Sequence, residues 1–325
     1  MPKDKVLIFT SVDDTHCDYV IQRANAVGLG QHFIRFHTEE FLTNFDVNFD
    51  GSNFAIHVKD SGRRFDSDDI LSVWYRRPRE IKSVHDEDAG INSFRLEQAS
   101  ACLRGLYFCT HDSARWVNPL PAIHRSRIKL QQLQLANRLG LSTPQTVVTN
   151  VPEIALTFVA RVGDVCVKSL DNPWYKVSDR LHPFFTHVLS RDDLRGHVQS
   201  VRQCPVLLQQ FIKKDYDIRV IVMGDELFAF EIDSQSSPLS EVDFRGLSPS
   251  RMVHRSHQLP SELCDKMMRF VRSQGLLYSA VDLVHTKAGE YYFLENNPNG
   301  QWLWLELMTG VPLTDTLIAL LMHSN

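Results

Sequence analysis

An apolar, β-rich run at Val6–Thr10 is followed by helical periodicity from Thr15 to about Val27, which stops at Gly28. His32–Phe36 is a second short strand candidate, so the chain opens as βαβ. No G-x-G-x-x-G follows the first strand, and a dinucleotide fingerprint is therefore absent. Residues 45–60 alternate as in a hairpin or edge strands, Val73–Tyr75 reads as a short strand running into Arg76-Arg77-Pro78, and 93–109 reads as a helix. Adjacent strand residues point to opposite faces, so at most one of Arg76 and Arg77 reaches a site. The run from Arg115 to Pro119 closes a first unit.

Apolar residues at 128, 130, 133, 135, 136 and 139, ending at Gly140 with Thr143-Pro144 beyond, predict one helix from His124 to Leu139 with Lys129 in its first turns. Asp164–Lys168 predicts a strand ending in lysine, 171–183 a loop, 191–201 a helix and Val206–Ile212 a strand. Asp217–Met223 and Glu226–Asp233 read as a hairpin closed by a type II′ turn at Gly224-Asp225. Both faces of its first strand are apolar apart from Arg219, which needs an anion: Glu231 or Asp217 internally, or a phosphate or carboxylate ligand. His254 and His257 fit one helical face and read as solvated or structural; helices are expected at 261–275, ending at Gly275, and near 313–322.

The most informative spacing separates Asp282 from Glu295. A tight turn at Ala288-Gly289 would pair 287 with 290 and 286 with 291, and so place the two carboxylates opposite each other with Cβ atoms about 4.5–5.5 Å apart. Asn297 shares the face of Glu295 because side chains alternate with a period of two. Three hard oxygen donors, two of them anionic, suit Mg²⁺ carrying a nucleotide phosphate. The competing reading is a hairpin whose acids face water. Val281, Leu283, Phe293 and Leu294 argue for burial instead, and buried carboxylates need a partner or a metal.

Composition narrows the class. With 325 residues, 43% hydrophobic content and a formal charge of −4, the chain can bury a large core and carries no basic stripe, so nucleic acid is not an expected partner. Six cysteines lie far apart without C-x-x-C, which fits reduced thiols and a cytoplasmic location. No stretch of 18 apolar residues exists, so neither a membrane span nor export is expected.

The order helix-Lys129, strand-Lys168, Leu207-Leu-Gln-Gln-Phe-Ile212, Asp217-Ile-Arg219, Asp243-Phe-Arg245, Asp282 and Glu295-x-Asn297 resembles the ATP-grasp ligases over roughly 119–325. More narrowly, Val73-Trp-Tyr-Arg-Arg-Pro78, Asn118-Pro119, the Lys129-Leu-Gln-Gln-Leu-Gln-Leu-Ala136 stretch of the helix with Gly140-Leu-Ser-Thr-Pro144, Ile232-Asp-Ser-Gln235 and Glu295-Asn-Asn-Pro-Asn-Gly-Gln-Trp302 resemble the graspetide synthetases, the microviridin-type peptide macrocyclases. The resemblance implies an α/β chain with a small pre-ATP-grasp domain (1–118), a central lid subdomain (119–205) and a C-terminal subdomain with the metal site (206–325). It further implies that Lys129 and Lys168 contact nucleotide phosphates, that adenine lies against Gln209, Gln210, Phe211 and Ile212, and that Asp217 faces the ribose. Asp282, Glu295 and Asn297 match Mg²⁺ ligands, while Arg219, Arg245 and Lys168 match groups around the transferred phosphate and acceptor carboxylate. The hinge reads Gln209-Gln210 where related ligases often carry glutamate, so a hinge contact that requires a carboxylate is not expected.

A carboxylate is a poor acyl donor, because its charge repels nucleophiles and oxide is a bad leaving group. Transfer of the ATP γ-phosphoryl group removes both obstacles, and no serine or cysteine nucleophile is then required. By resemblance the donor is an Asp or Glu side chain of a ribosomal precursor peptide, and the nucleophile a Thr or Ser hydroxyl, giving an ester, or a Lys amine, giving an amide. A leader segment of that peptide is expected near 234–250, and the enzyme is expected to be a homodimer. Two alternatives stand beside this reading: a ligase that adds a free amino acid to a carboxylate, and a non-catalytic nucleotide-binding module.

Overall fold

The computed structural model describes residues 3–83, 88–171 and 174–323. In chain order its elements are β1 (Lys5–Thr10), α1 (Thr15–Ala26), β2 (Phe33–His37), α2 (Phe41–Asn44), β3 (Phe45–Phe49), β4 (Phe54–Val58), β5 (Arg63–Asp66), β6 (Ile70–Tyr75), α3 (Ala89–His111), β7 (Arg115–Val117) and α4 (Leu120–Ser126). There follow α5 (Lys129–Arg138), β8 (Thr146–Thr149), α6 (Pro152–Val162), β9 (Val165–Lys168), β10 (Trp174–Val177), β11 (Arg180–Pro183), β12 (His187–Leu189), α7 (Arg191–His197) and β13 (Val206–Gln210). The last stretch holds β14 (Tyr216–Met223), β15 (Glu226–Ile232), β16 (His254–His257), α8 (Ser261–Arg272), β17 (Tyr278–His285), β18 (Tyr291–Asn297), α9 (Leu303–Thr309) and α10 (Leu313–Met322). They form two compact units, one of residues 1–123, 275–278 and 312–325, the other of 124–274 and 279–311.

The first unit is built on a parallel sheet in the order β2-β1-β6-β7, with a second sheet β3-β4-β5. The carboxylate of Asp14 caps α1 by accepting from the His16 backbone N–H at 3.1 Å, which starts the helix directly after the strand. Aromatic residues fill the core: Phe9 meets Tyr107 edge-on at 4.6 Å, and Phe36 stacks on Phe45 at 3.9 Å. Asn118 fastens residues 277 and 278 into this unit. Its Oδ1 accepts from both backbone N–H groups at 2.8 and 2.9 Å, and its Nδ2 donates to the Tyr278 carbonyl at 2.8 Å. Arg76 is buried with its Nε 3.7 Å from Asp14, whereas Arg77 is exposed, as their opposite faces require.

The second unit contains a four-stranded sheet, β12-β9-β13-β8, and a five-stranded one, β16-β15-β14-β17-β18. Several elements differ from the sequence expectation. The single helix over 124–139 is two, α4 and α5, because Ile128 is extended (φ −73°, ψ 104°) and 53% exposed; an apolar residue counted toward the helix face is at a bend in solvent. Within 171–183 the chain forms the β10–β11 hairpin rather than a loop; residues 172 and 173 lie outside the described residues. Ser178 and Asp179 close it with φ of 45° and 65°, as a type I′ turn requires. All eight strand residues are exposed, so no apolar alternation marked them. His254 and His257 lie on a strand, three residues apart and on opposite faces; His257 Nε2 is 3.0 Å from the Tyr291 hydroxyl and His254 packs edge-on against Trp304. The strand expected over 206–212 ends at Gln210.

Candidate active site

Asp282 pairs directly with Glu295 across β17 and β18. The route to that register is not the expected one. Thr286 N–H donates to the Glu290 carbonyl and Gly289 N–H to that of Thr286, both at 2.9 Å, which makes a three-residue loop with Gly289 at φ +83°. His285 therefore pairs with Tyr291, one residue out of the predicted register, until an extra residue at Leu294 restores it.

Asp282, Glu295, Asn296 and Asn297 line one cavity with Arg127, Lys129, Cys166, Lys168, Gln209, Gln210, Phe211, Ile212, Lys214, Asp217, Asp243 and Arg245. Every one of these belongs to the second unit. Arg219 reaches the same place from β14: its Nε lies 2.6 Å from Asp282 Oδ1, its Nη1 donates to the Gln301 carbonyl at 3.3 Å, and its guanidinium sits 5.6 Å from the Phe244 ring centroid. The acid beside Arg219 is thus neither Glu231 nor Asp217. Glu231 lies 3.3 Å from Arg255, and Asp217 accepts from Lys214 Nζ at 2.6 Å.

Lys129 opens α5, where its Nζ donates to the Ser169 carbonyl at 2.8 Å and lies 3.6 Å from Glu295. Lys168, at the end of β9, donates to Gln209 Oε1 at 2.8 Å, and Gln209 in turn donates to Thr146 Oγ1. Burial pulls the Lys168 ammonium below the usual lysine range while Glu295 pulls it back. The backbone N–H groups of Gln210 and Phe211 are held by the carbonyls of Gln145 and Asp164, so a base against this segment would meet their carbonyls and Ile212. Arg245 grips Asp243 through two bonds of 2.8 and 2.6 Å.

The two carboxylates shift in opposite directions. Burial and the facing Glu295 push Asp282 up to about 6 despite Arg219. Glu295, against the same pull of burial, is held below the usual glutamate range by Lys129, Lys168, Arg245 and Arg219. A pair of like charges confined in this way, in a cavity that Asn297 also lines, fits a hard divalent cation. Asn297 Oδ1 accepts one bond, from Asn299 N–H at 3.0 Å, which leaves a lone pair for such a cation.

Sequence reasoning missed Lys214, the ion partner of Asp217, although its place three residues upstream was the available signal. It also missed Arg127, which lay inside a predicted helix, and Cys166, a cavity-lining thiol that burial pushes above the usual cysteine range.

Residues 5–124 match the MvdD pre-ATP grasp domain and residues 126–321 the RimK-like ATP-grasp domain. A "Probable alpha-L-glutamate ligase" of Xanthomonas euvesicatoria pv. vesicatoria (strain 85-10) is 28% identical over 234 residues, 69% of this chain and 72% of that protein. Among solved structures, a RiPP-associated ATP-grasp ligase of Chryseobacterium gregarium, in complex with ADP and a leader and core peptide, has 26% identity and a TM-score of 0.86, covering 98% of this chain and 96% of that one. The macrocyclase MdnC of Microcystis aeruginosa MRC, bound with the precursor peptide MdnA, has 26% identity and a TM-score of 0.81, covering 98% and 99%.

Proposed function

The chain belongs to the RimK-like ATP-grasp family, and from its MvdD pre-ATP grasp domain and its likeness to peptide-bound ATP-grasp ligases we propose that it is an ATP-dependent macrocyclase of a ribosomal precursor peptide. It phosphorylates Asp or Glu side chains of the peptide and joins them to Thr or Ser hydroxyls or Lys amines of the same chain. The observation that carries the reading is the direct pairing of Asp282 with Glu295 in a cavity that also holds Lys129, Lys168 and Arg245.

In this assignment ATP and Mg²⁺ are the cofactors, with Asp282, Glu295 and Asn297 holding the metal, which when bound neutralises phosphate charge. Lys129 and Lys168 bind phosphates, Gln209 to Ile212 and Asp217 bind the nucleoside, and Arg219 and Arg245 orient the acceptor carboxylate. Segment 119–205 acts as the lid, between a pre-ATP-grasp domain (1–118) and the metal-site subdomain (206–325), and the leader binds near 234–250. Tethering the leader raises the local concentration of the core peptide, so that the acyl phosphate meets an intramolecular nucleophile before water. We assign a homodimer in the cytoplasm, a location supported by six free cysteines. Among the described residues no helix is long and apolar enough to cross a membrane.

The alternative, addition of a free amino acid, is favoured by the glutamate-ligase relatives. Mass spectrometry separates the two. A precursor peptide incubated with enzyme, ATP, Mg²⁺ and free amino acids, glutamate among them, should lose one water per bond and, in a parallel reaction with hydroxylamine, yield hydroxamate. A gain of one residue mass would establish the alternative instead.

A further inference from the structure

β18 carries Glu295 and Asn297 and is the last strand of its sheet, so the outward backbone groups of the intervening Asn296 have no neighbouring strand to pair with. The side chain of Gln132, on α5, takes that place. Its Oε1 accepts from Asn296 N–H at 2.9 Å, and its Nε2 donates to the Asn296 carbonyl at 2.9 Å and to the Ser126 carbonyl, at the end of α4, at 2.7 Å. Gln132 is 3% exposed, and Asn296 is 5% exposed. One planar group with one acceptor and two N–H donors meets one donor and two acceptors, a match that only a carboxamide makes. Gln132 follows Lys129 by three residues, so the same short helix reaches Glu295 through Lys129 and the backbone beside Glu295 through Gln132. From inside the sheet, Ser279 Oγ donates to Asn296 Oδ1.

We propose that Gln132 is a positioning residue that completes the metal site: by acting as a surrogate strand for Asn296 it fixes the direction in which Glu295 and Asn297 present their oxygens, and locks them to the helix that carries Lys129. The proposal rests on the assignment of Glu295 and Asn297 as Mg²⁺ ligands. Glutamate at 132 keeps the shape and the acceptor but sets a carboxylate against two carbonyl oxygens, so Gln132→Glu breaks the donor half alone; Gln132→Leu removes both halves.

The test measures ADP affinity by calorimetry with and without Mg²⁺ on the full chain. In Gln132→Glu and Gln132→Leu the tightening of ADP by Mg²⁺ should fall about tenfold, the scale of outer-shell effects on metal affinity, while metal-free ADP affinity holds within about twofold. A merely structural role would lower the folded fraction and leave the Mg²⁺ effect intact. Glu295→Gln is the control. Tightening that survives Glu295→Gln overturns the site assignment, and this inference with it. Tightening lost in Glu295→Gln and kept in Gln132→Glu overturns the inference alone. Hydrogen exchange in the unsubstituted protein covers the case in which neither variant folds: the Asn296 amide should be protected, and exchange at the rate of an open amide overturns the proposal.

Discussion

Single residues in this chain carry charge into places where only a specific neighbour makes it tolerable. Asp282 has its arginine, Glu295 its two lysines, and Asp217 has Lys214. His16 is the opposite case, an imidazole the fold keeps neutral. Burial and then repulsion from Arg76 lower it from 6.5 to about 3, only partly offset by Asp14. Between those values the unfolded chain takes up a proton that the folded one refuses, so stability is intact above about 6.5 and is lost as pH falls toward 3. At pH 5 the loss from this residue is about 2 kcal/mol relative to pH 7. Urea unfolding of the first unit at both pH values should show that slope, and His16→Gln should flatten it by a similar amount; an unchanged slope would mean that other groups set the acid sensitivity. The composition of this microenvironment was not legible in the sequence, because Asp14, His16 and Arg76 meet only once β1, α1 and β6 are in place.

At the scale of elements, the acidic hairpin shows both the reach of sequence reasoning and its limit. Alternation and spacing put Asp282 opposite Glu295, and they are opposite. The intermediate steps differ, since a three-residue loop and a bulge at Leu294 shift the register by one residue in opposite senses and cancel. Local spacing fixes the sum of such shifts and not their positions. The β10–β11 hairpin escaped for a related reason: pattern arguments detect burial, and this hairpin buries neither face. The turn after β18 makes a sharper demand. A Cβ built on Gly300 would lie 2.3 Å from the Ala280 Cβ and 3.5 Å from Arg219 Nη1. The second distance is ordinary contact, but the first is a clash, so Gly300→Ala must push this turn off β17 and, by moving the Gln301 carbonyl to which Arg219 donates, disturb the guanidinium that faces Asp282. We expect a cost of about 1–3 kcal/mol from overpacking, together with a fall in kcat of about tenfold or more as Arg219 shifts. Chemical denaturation and steady-state kinetics would check the two effects, and Ala280→Gly in the same chain should relieve both.

For the whole molecule, the pattern of hydrophobic positions was enough to announce an α/β chain with an early βαβ unit, yet not where the second unit begins and ends. Residues 275–278 and 312–325 belong with the first unit although they are distant in sequence, and their attachment through Asn118 and through the Ser72 hydroxyl bond to the Leu321 carbonyl at 2.7 Å depends on contacts no local pattern encodes. That partition has a thermodynamic consequence. All the residues lining the cavity lie in 124–274 and 279–311, so a nucleotide that binds there stabilises that unit by mass action, by about 2.7 kcal/mol at a hundredfold excess over Kd. Exchange from openings of the second unit should slow to match, about a hundredfold, and the slowing should be greatest on β13, β14, β17 and β18, whose residues line the cavity or touch those that do. Mass-resolved hydrogen exchange with and without Mg²⁺ and ADP reads this directly. Slowing concentrated within 1–123, with 206–212 and 278–297 unaffected, would place the nucleotide elsewhere and undo the assignment of Asp282, Glu295 and Asn297.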